Sequence, residues 1–130
     1  MIVLDASAAV DWLLQTPAGR RIDNRISSSN TTLHAPHLLD LEVAQVLRRL
    51  AYQGAVSPKR ADEAFHDLQD LRLNRYPHFV LLPRIWKLRH NFSAYDASYV
   101  ALAETLGAAL LTRDARLASS VHHRAAVEVF

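Results

Sequence analysis

The sequence predicts a three-layer α/β domain: a central, mainly parallel sheet of about four to five strands with helices on both faces. Short continuous apolar runs, such as Ile2–Val3–Leu4 and Ala109–Leu110–Leu111, are what strands buried on both faces require. Longer stretches with apolar residues at helical spacing separate these runs, so strand and helix alternate along the chain. The 130 residues, without internal repeat or low-complexity tract, fit one domain large enough for a core without staples.

Local signals place each element. Ile2–Val3–Leu4 opens the chain as a strand. A helix follows from Ser7, its expected N-cap, to about Gln15, and a weaker one runs from Ala18 to Ser27. Ser27, Ser28 and Ser29 read as a short loop. Leu33–His34–Ala35 is a short strand that Pro36 is expected to stop. From His37 to Gln53 apolar residues recur at helical spacing, and Gly54 stands in the C′ position. Ser57 and Pro58 form an N-cap and N1 pair opening a helix to about Arg72. Phe79–Val80–Leu81–Leu82 is expected to be a strand, with Pro83 starting a helix through about His90. Ser93 caps a helix to Leu106 that Gly107 closes. Ala109 to Thr112 is a further buried strand, Ala115 to Val121 a short helix, and Val127–Glu128–Val129 the last strand.

Composition removes several function classes. The absence of cysteine excludes a disulfide scaffold, a thiolate zinc site and a cysteine nucleophile. Abundant aliphatic residues and a net charge of +2 exclude intrinsic disorder. Only three glycines are present and no Gly-rich phosphate loop, which disfavours ATP-driven chemistry. The opening MIVLDASAAVDWLL lacks a basic n-region and carries Asp5 and Asp11, so it reads as neither signal peptide nor membrane span. A soluble cytoplasmic protein is the expectation.

In parallel sheets ligands bind beyond the carboxyl ends of the strands. Four acids belong there. Asp5 ends the first strand, and Asp114 lies two residues beyond the strand closed by Thr112. Asp96 is in the first turn of the helix after Ser93, and Glu42 in the first turns of the helix from His37. Each has a plainer role open to it. Asp114 suits an N-cap, and Asp96 a capping-box variant with Ser93. Glu42 and Asp40 occupy opposite shoulders of the stripe Leu39, Val43, Val46 and Leu50, and periodicity does not choose between them. Asp5 is hardest to explain structurally, because an ionised acid at the end of the most apolar strand needs donors or a cation. Convergent carboxylates without cysteine point to Mg2+ or Mn2+. Histidines offer a weaker alternative: His34 and His37 span a corner, and His122 and His123 point apart, so both pairs read as surface or structural. Ser7 has no Gly-x-Ser-x-Gly setting and is not a nucleophile candidate.

Four segments resemble the PIN-domain family, and within it the VapC-type toxins of bacterial toxin–antitoxin pairs. They are VLDASAAVDWLL with Asp5 and Ser7, APHLLDLEVAQVLRR with Glu42, AYDASYVALAETLG with Asp96, and LLTRDARLA with Thr112 and Asp114. The resemblance runs from end to end in the family's order. It favours Glu42 over Asp40, since the family's acid precedes Val. It implies a PIN-like fold and an endoribonuclease in which Asp5, Glu42, Asp96 and Asp114 bind Mg2+, with Mn2+ as a substitute. A metal-activated water would attack the RNA phosphodiester in line, leaving a 5′ phosphate and a 3′ hydroxyl. Inhibition by a cognate VapB-like antitoxin and a homodimer are implied as well.

Ser7 and Thr112 are supporting candidates, able to bond a carboxylate, a water or a phosphate. Arg113 and Arg116 flank Asp114 as candidate RNA phosphate contacts, while Arg48 and Arg49 read more simply as a solvated helix face. A non-catalytic nucleic-acid or protein-binding PIN module is the alternative. Four intact acids weigh against it, because a pure binder gains nothing from repelling phosphate.

Overall fold

Ile2–Leu4, the first strand (β1), lies at the centre of the sheet in the computed structural model, which describes residues 1–28 and 30–130. Its neighbours are Leu33–Pro36 (β2) on one side and Ala109–Thr112 (β4) on the other. Leu73–Tyr76 (β3) extends the sheet beyond β2, and Ala126–Val129 (β5) beyond β4. The order is β3-β2-β1-β4-β5 and every pair is parallel. The expected mainly parallel sheet is therefore present, at the upper end of the expected strand count.

Alternation along each strand divides the core in two. Val3, Ala35 and Leu110 face one layer, which holds the helices Leu38–Tyr52 (α3), Pro58–Asp70 (α4), Leu82–Lys87 (α5) and Ala94–Leu106 (α6). Ile2, Leu4, Leu33 and Leu111 face the other, closed by Ile22 of the helix Pro17–Ser27 (α2). The helix Ala6–Leu14 (α1) serves both, with Val10 and Leu13 in the first core and Ala8 in the second. Every residue of α6 from Ala97 to Ala103 is buried, which accounts for its near-uniform small and apolar character.

Several sequence expectations need correction. Asp5, not Ser7, caps α1: its side chain accepts from the Ala8 amide, and Ser7 sits inside the first turn. Pro36 does not stop β2 but is its last residue, opposite Tyr76 of β3. Phe79–Leu82 is not a strand; a 3-10 turn over His78–Leu81 leads into α5 there. The edge strand is the more polar Leu73–Tyr76, a position where one side of the ladder has no partner and side chains reach solvent. The last short helix, Ala115–Ser119 (α7), ends before Val121. Ser29 of the expected serine loop lies outside the described residues, while Ser27 belongs to α2. Among the described residues no helix is long and apolar enough to cross a membrane.

Candidate active site

From β1 the chain adds strands to one side through β2 and β3, then to the other through β4 and β5. The crevice between the carboxyl ends of β1 and β4 is thus the topological switch point of the sheet. Asp5 follows β1 directly, and its amide still donates to the Leu111 carbonyl (3.2 Å). Thr112 ends β4 and Asp114 caps α7. Helices α3 and α6 cross this end of the sheet carrying Glu42 and Asp96. All four acids line one open cavity of about 410 Å³, together with Ser7, Asp11, Arg49, Tyr99 and Arg113.

Asp5 is held by three donors. The Ser7 hydroxyl (2.7 Å) and the Ala8 amide (2.9 Å) reach its Oδ1, and the Thr112 hydroxyl donates to Oδ2 in a short bond. The Thr112 oxygen also accepts from the Asp114 amide (2.9 Å), and the Ser7 oxygen from the Arg113 amide (3.0 Å). Two hydroxyls thereby tie the ends of β1 and β4 together and fix the carboxylate plane of Asp5.

Glu42 accepts from the Tyr99 hydroxyl at 2.6 Å, a contact between α3 and α6. Asp40, on the opposite shoulder of α3, points to the sheet edge, where Arg75 of β3 grips it with two bonds (2.7 and 3.0 Å). Geometry therefore separates two acids that helical periodicity left equivalent. The Asp96 amide is capped by the Ser93 hydroxyl (3.1 Å), which leaves its carboxylate at the cavity wall. Asp114 plays its plainer role too: it caps α7 through the Arg116 amide (2.9 Å) and receives the Arg116 guanidinium on both oxygens.

Electrostatics divide the four acids. Burial pushes Asp5, Glu42 and Asp96 above the ordinary carboxylate range, and the negative charge of neighbouring acids adds to the rise in each. Asp114 is held below that range by its bonds to Arg116. Three mutually repelling, partly desolvated carboxylates in a cavity without histidine or cysteine suit a hard divalent cation, which would relieve both burdens. Among the described residues no three acids or histidines gather tightly enough to hold an ion by themselves. Both Asp114 oxygens are taken up by Arg116. The donor chemistry fits a hard divalent cation, and Asp5, Glu42, Asp96 and Asp114 are the residues that would hold it.

The histidines stay out of this site. Both ring nitrogens of buried His34 are bonded, one to Thr32 and one to Tyr76 (2.7 Å each), and His123 packs against the Leu117 carbonyl and the Ala125 amide. Arg113 lines the cavity with its guanidinium tied to Asp11 (2.6 Å) and to the Phe130 carbonyl. Two contributors escaped the sequence reading. Tyr99 stands with Tyr95, Leu102 and Leu106 at helical spacing and so reads as part of an apolar stripe, though a tyrosine one turn from Asp96 has a hydroxyl to satisfy. Arg49 reads as a solvated face, yet it lines the cavity, and among the described residues no carboxylate pairs with it.

Known proteins resemble this chain in sequence and fold. A family model described as PIN domain matches residues 2–121. The VapC ribonuclease Mb0985 of Mycobacterium bovis is 46% identical over 120 residues, covering 92% of this chain and 91% of that protein. The crystal structure of PAE2754 from Pyrobaculum aerophilum superposes with a TM-score of 0.71 at 25% identity, over 98% of this chain and 83% of that one. VapBC2 from Rickettsia felis, solved bound to a DNA fragment from its promoter, superposes with a TM-score of 0.70 at 14% identity, covering 99% and 98%.

Proposed function

The chain belongs to the PIN-domain family, and on that premise we propose that it is an endoribonuclease toxin of the VapC type. It hydrolyses RNA phosphodiester bonds with Mg2+, for which Mn2+ substitutes, acting as a single domain in the cytoplasm. A cognate VapB-like antitoxin restrains it, and it pairs with a second copy of itself. The observation that carries this reading is the convergence of Asp5, Glu42, Asp96 and Asp114 on one cavity at the switch point. The 46% identity to a relative named as a VapC ribonuclease supports the substrate class.

A bound cation would offset the charge of these acids and lower the pKa of water for in-line attack on phosphorus. The chain's own residues prepare the site. Ser7, Ala8 and Thr112 hold Asp5 in one orientation, and Tyr99 aims Glu42. Arg49 and Arg113 present positive charge beside the acids, where substrate phosphates would otherwise be repelled. The open cavity admits a phosphodiester within a chain, which suits endonucleolytic cleavage into a 5′ phosphate and a 3′ hydroxyl. We further propose that the antitoxin inserts an Arg or Lys among the four acids, competing with the cation.

Incubation of the purified protein with structured RNA, in Mg2+ or EDTA, tests the reading. Cleavage should require the cation and vanish in Asp5→Ala, Asp96→Asn and Glu42→Gln, while Asp40→Asn retains it. Cation-dependent cleavage that persists in the first three variants would refute the site. RNA binding without cleavage under either metal would favour the non-catalytic module.

A further inference from the structure

Asp96 also lines a second cavity, of about 480 Å³, within the range of roughly 300–1,000 Å³ common to ligand pockets. Resting on the ribonuclease reading above, we propose that this second cavity is a subsite for the nucleotide flanking the scissile phosphate. Arg116 passes there from Asp114 to a substrate phosphate when a cation takes Asp114.

Continuity is the first support. Asp96 lines both cavities, so a strand laid across the four acids runs on over it into the second. Lining chemistry is the second. Asn91, Ser93, Ser119 and Ser120 offer amide and hydroxyl groups, and Phe92 offers a half-buried ring. Among the described residues the Asn91 side-chain amide has no protein partner, leaving a donor and an acceptor for a base edge or a ribose hydroxyl. Charge is the third. Residues 71–95, which lead into this wall, contain five Lys or Arg and no Asp or Glu.

The position of Arg116 supplies the exchange. Its side chain is 82% exposed, whereas that of Asp114 is 26% exposed, and the two form a forked pair with a 2.5 Å contact. An ion pair so open to solvent is weak, so a divalent cation on one partner and a phosphate on the other can replace it. Arg116 also lies close enough to Asp96 to lower the pKa of that acid, so a short swing keeps the guanidinium over the shared wall. In the resting chain Arg116 blocks a metal ligand; with substrate present it becomes a phosphate clamp. Cation and RNA then favour each other's binding, and by linkage the effect is reciprocal.

Two binding measurements, made apart from catalysis, test this. Titration with Mn2+ alone, followed calorimetrically, should show Arg116→Ala binding the ion roughly threefold or more tighter than the natural protein, because the competitor is gone. A short fluorescein-labelled single-stranded RNA of mixed sequence, mixed with Mn2+ and read by stopped-flow anisotropy before cleavage, should bind Arg116→Ala roughly tenfold weaker, and the difference should shrink in EDTA, where Arg116 stays on Asp114. Asn91→Ala should weaken the RNA several-fold and leave Mn2+ affinity unchanged. Amide resonances of Asn91, Ser119 and Ser120 should shift when the RNA is added to the natural protein. Weaker Mn2+ binding in Arg116→Ala, undiminished RNA binding in either variant, or RNA shifts that skip those three amides would overturn the subsite. Failure of the natural protein to bind or cleave RNA would instead overturn the ribonuclease reading.

Discussion

One hydroxyl, that of Thr112, joins three parts of the site. It donates to Asp5, accepts from the Asp114 amide and ends β4 in full burial. Thr112→Val keeps the shape and removes these bonds, so it should destabilise the protein by about 1–3 kcal/mol. It should also shift the acidic limb of the pH–activity profile upward, since Asp5 loses a donor that favours its charged form. Denaturant titration and a pH–rate series check the two effects separately. The raised acids make a further prediction. Between the ordinary values, 3.8 for Asp and 4.5 for Glu, and their raised folded values, the folded chain binds more protons at Asp5, Glu42 and Asp96 than the unfolded chain does. The contribution of these groups to cation-free stability therefore falls as pH rises through that window. Melting curves in EDTA should show Glu42→Gln losing less stability than the natural protein over that rise, because Gln still accepts from Tyr99 and carries no charge. Equal pH slopes for the two proteins would contradict this. Asp5 was readable in the sequence because an acid ending a buried strand needs a reason. The contrast between Asp40 and Glu42 was not, because the partner of Asp40 is Arg75, on a strand that the sequence pattern hides.

At the scale of elements, β3 shows how that hiding works. Phe79–Leu82 has the apolar run of a buried strand, yet Phe79 and Val80 are 76% and 70% exposed on a 3-10 turn between Pro77 and Pro83. Leu73–Tyr76 has two polar residues in four and still pairs with β2, its Asn74 side chain donating to the Leu33 carbonyl and Arg75 holding Asp40. An edge strand draws on such side-chain bonds as well as on burial, and periodicity does not detect them. Central elements were legible for the opposite reason: β1 and β4 are buried almost throughout and α6 is buried from Ala97 to Ala103, so their composition is set by packing. The contact between α1 and α2 makes its own prediction. A Cβ at Gly19 would lie 1.8 Å from the Asp11 carbonyl oxygen, so Gly19→Ala must push two helices apart. It should cost at least the upper end of the ~1–3 kcal/mol typical of overpacking. Gly107→Ala meets open space and only the strain of φ +61°, about 1 kcal/mol. Thermal unfolding of the two variants should rank them in that order.

For the whole molecule, the sequence showed an alternating α/β pattern but not the strand order, because a parallel sheet is assembled by crossovers that leave no local mark. The order β3-β2-β1-β4-β5 is what brings residues as distant as Asp5 and Asp114 to one crevice. It also redistributes charge. Of thirteen acids, five line the crevice beside two arginines, leaving eight acids against thirteen Lys and Arg over the rest of the chain. RNA affinity should consequently fall steeply as salt rises, with a log–log slope reduced by about one in Arg116→Ala. A slope insensitive to that change would argue that Arg116 makes no phosphate contact.

The capping of α1 by Asp5 carries a practical consequence for anyone who wants an inert form of this protein. The same carboxylate that faces the cavity begins a helix and bridges two strands, so replacing it loosens the scaffold along with the chemistry. Glu42 is the better residue to silence. Glutamine there should leave the Tyr99 contact and the helix intact, so on the proposed function it would give a disarmed protein for trapping RNA or antitoxin in its natural shape.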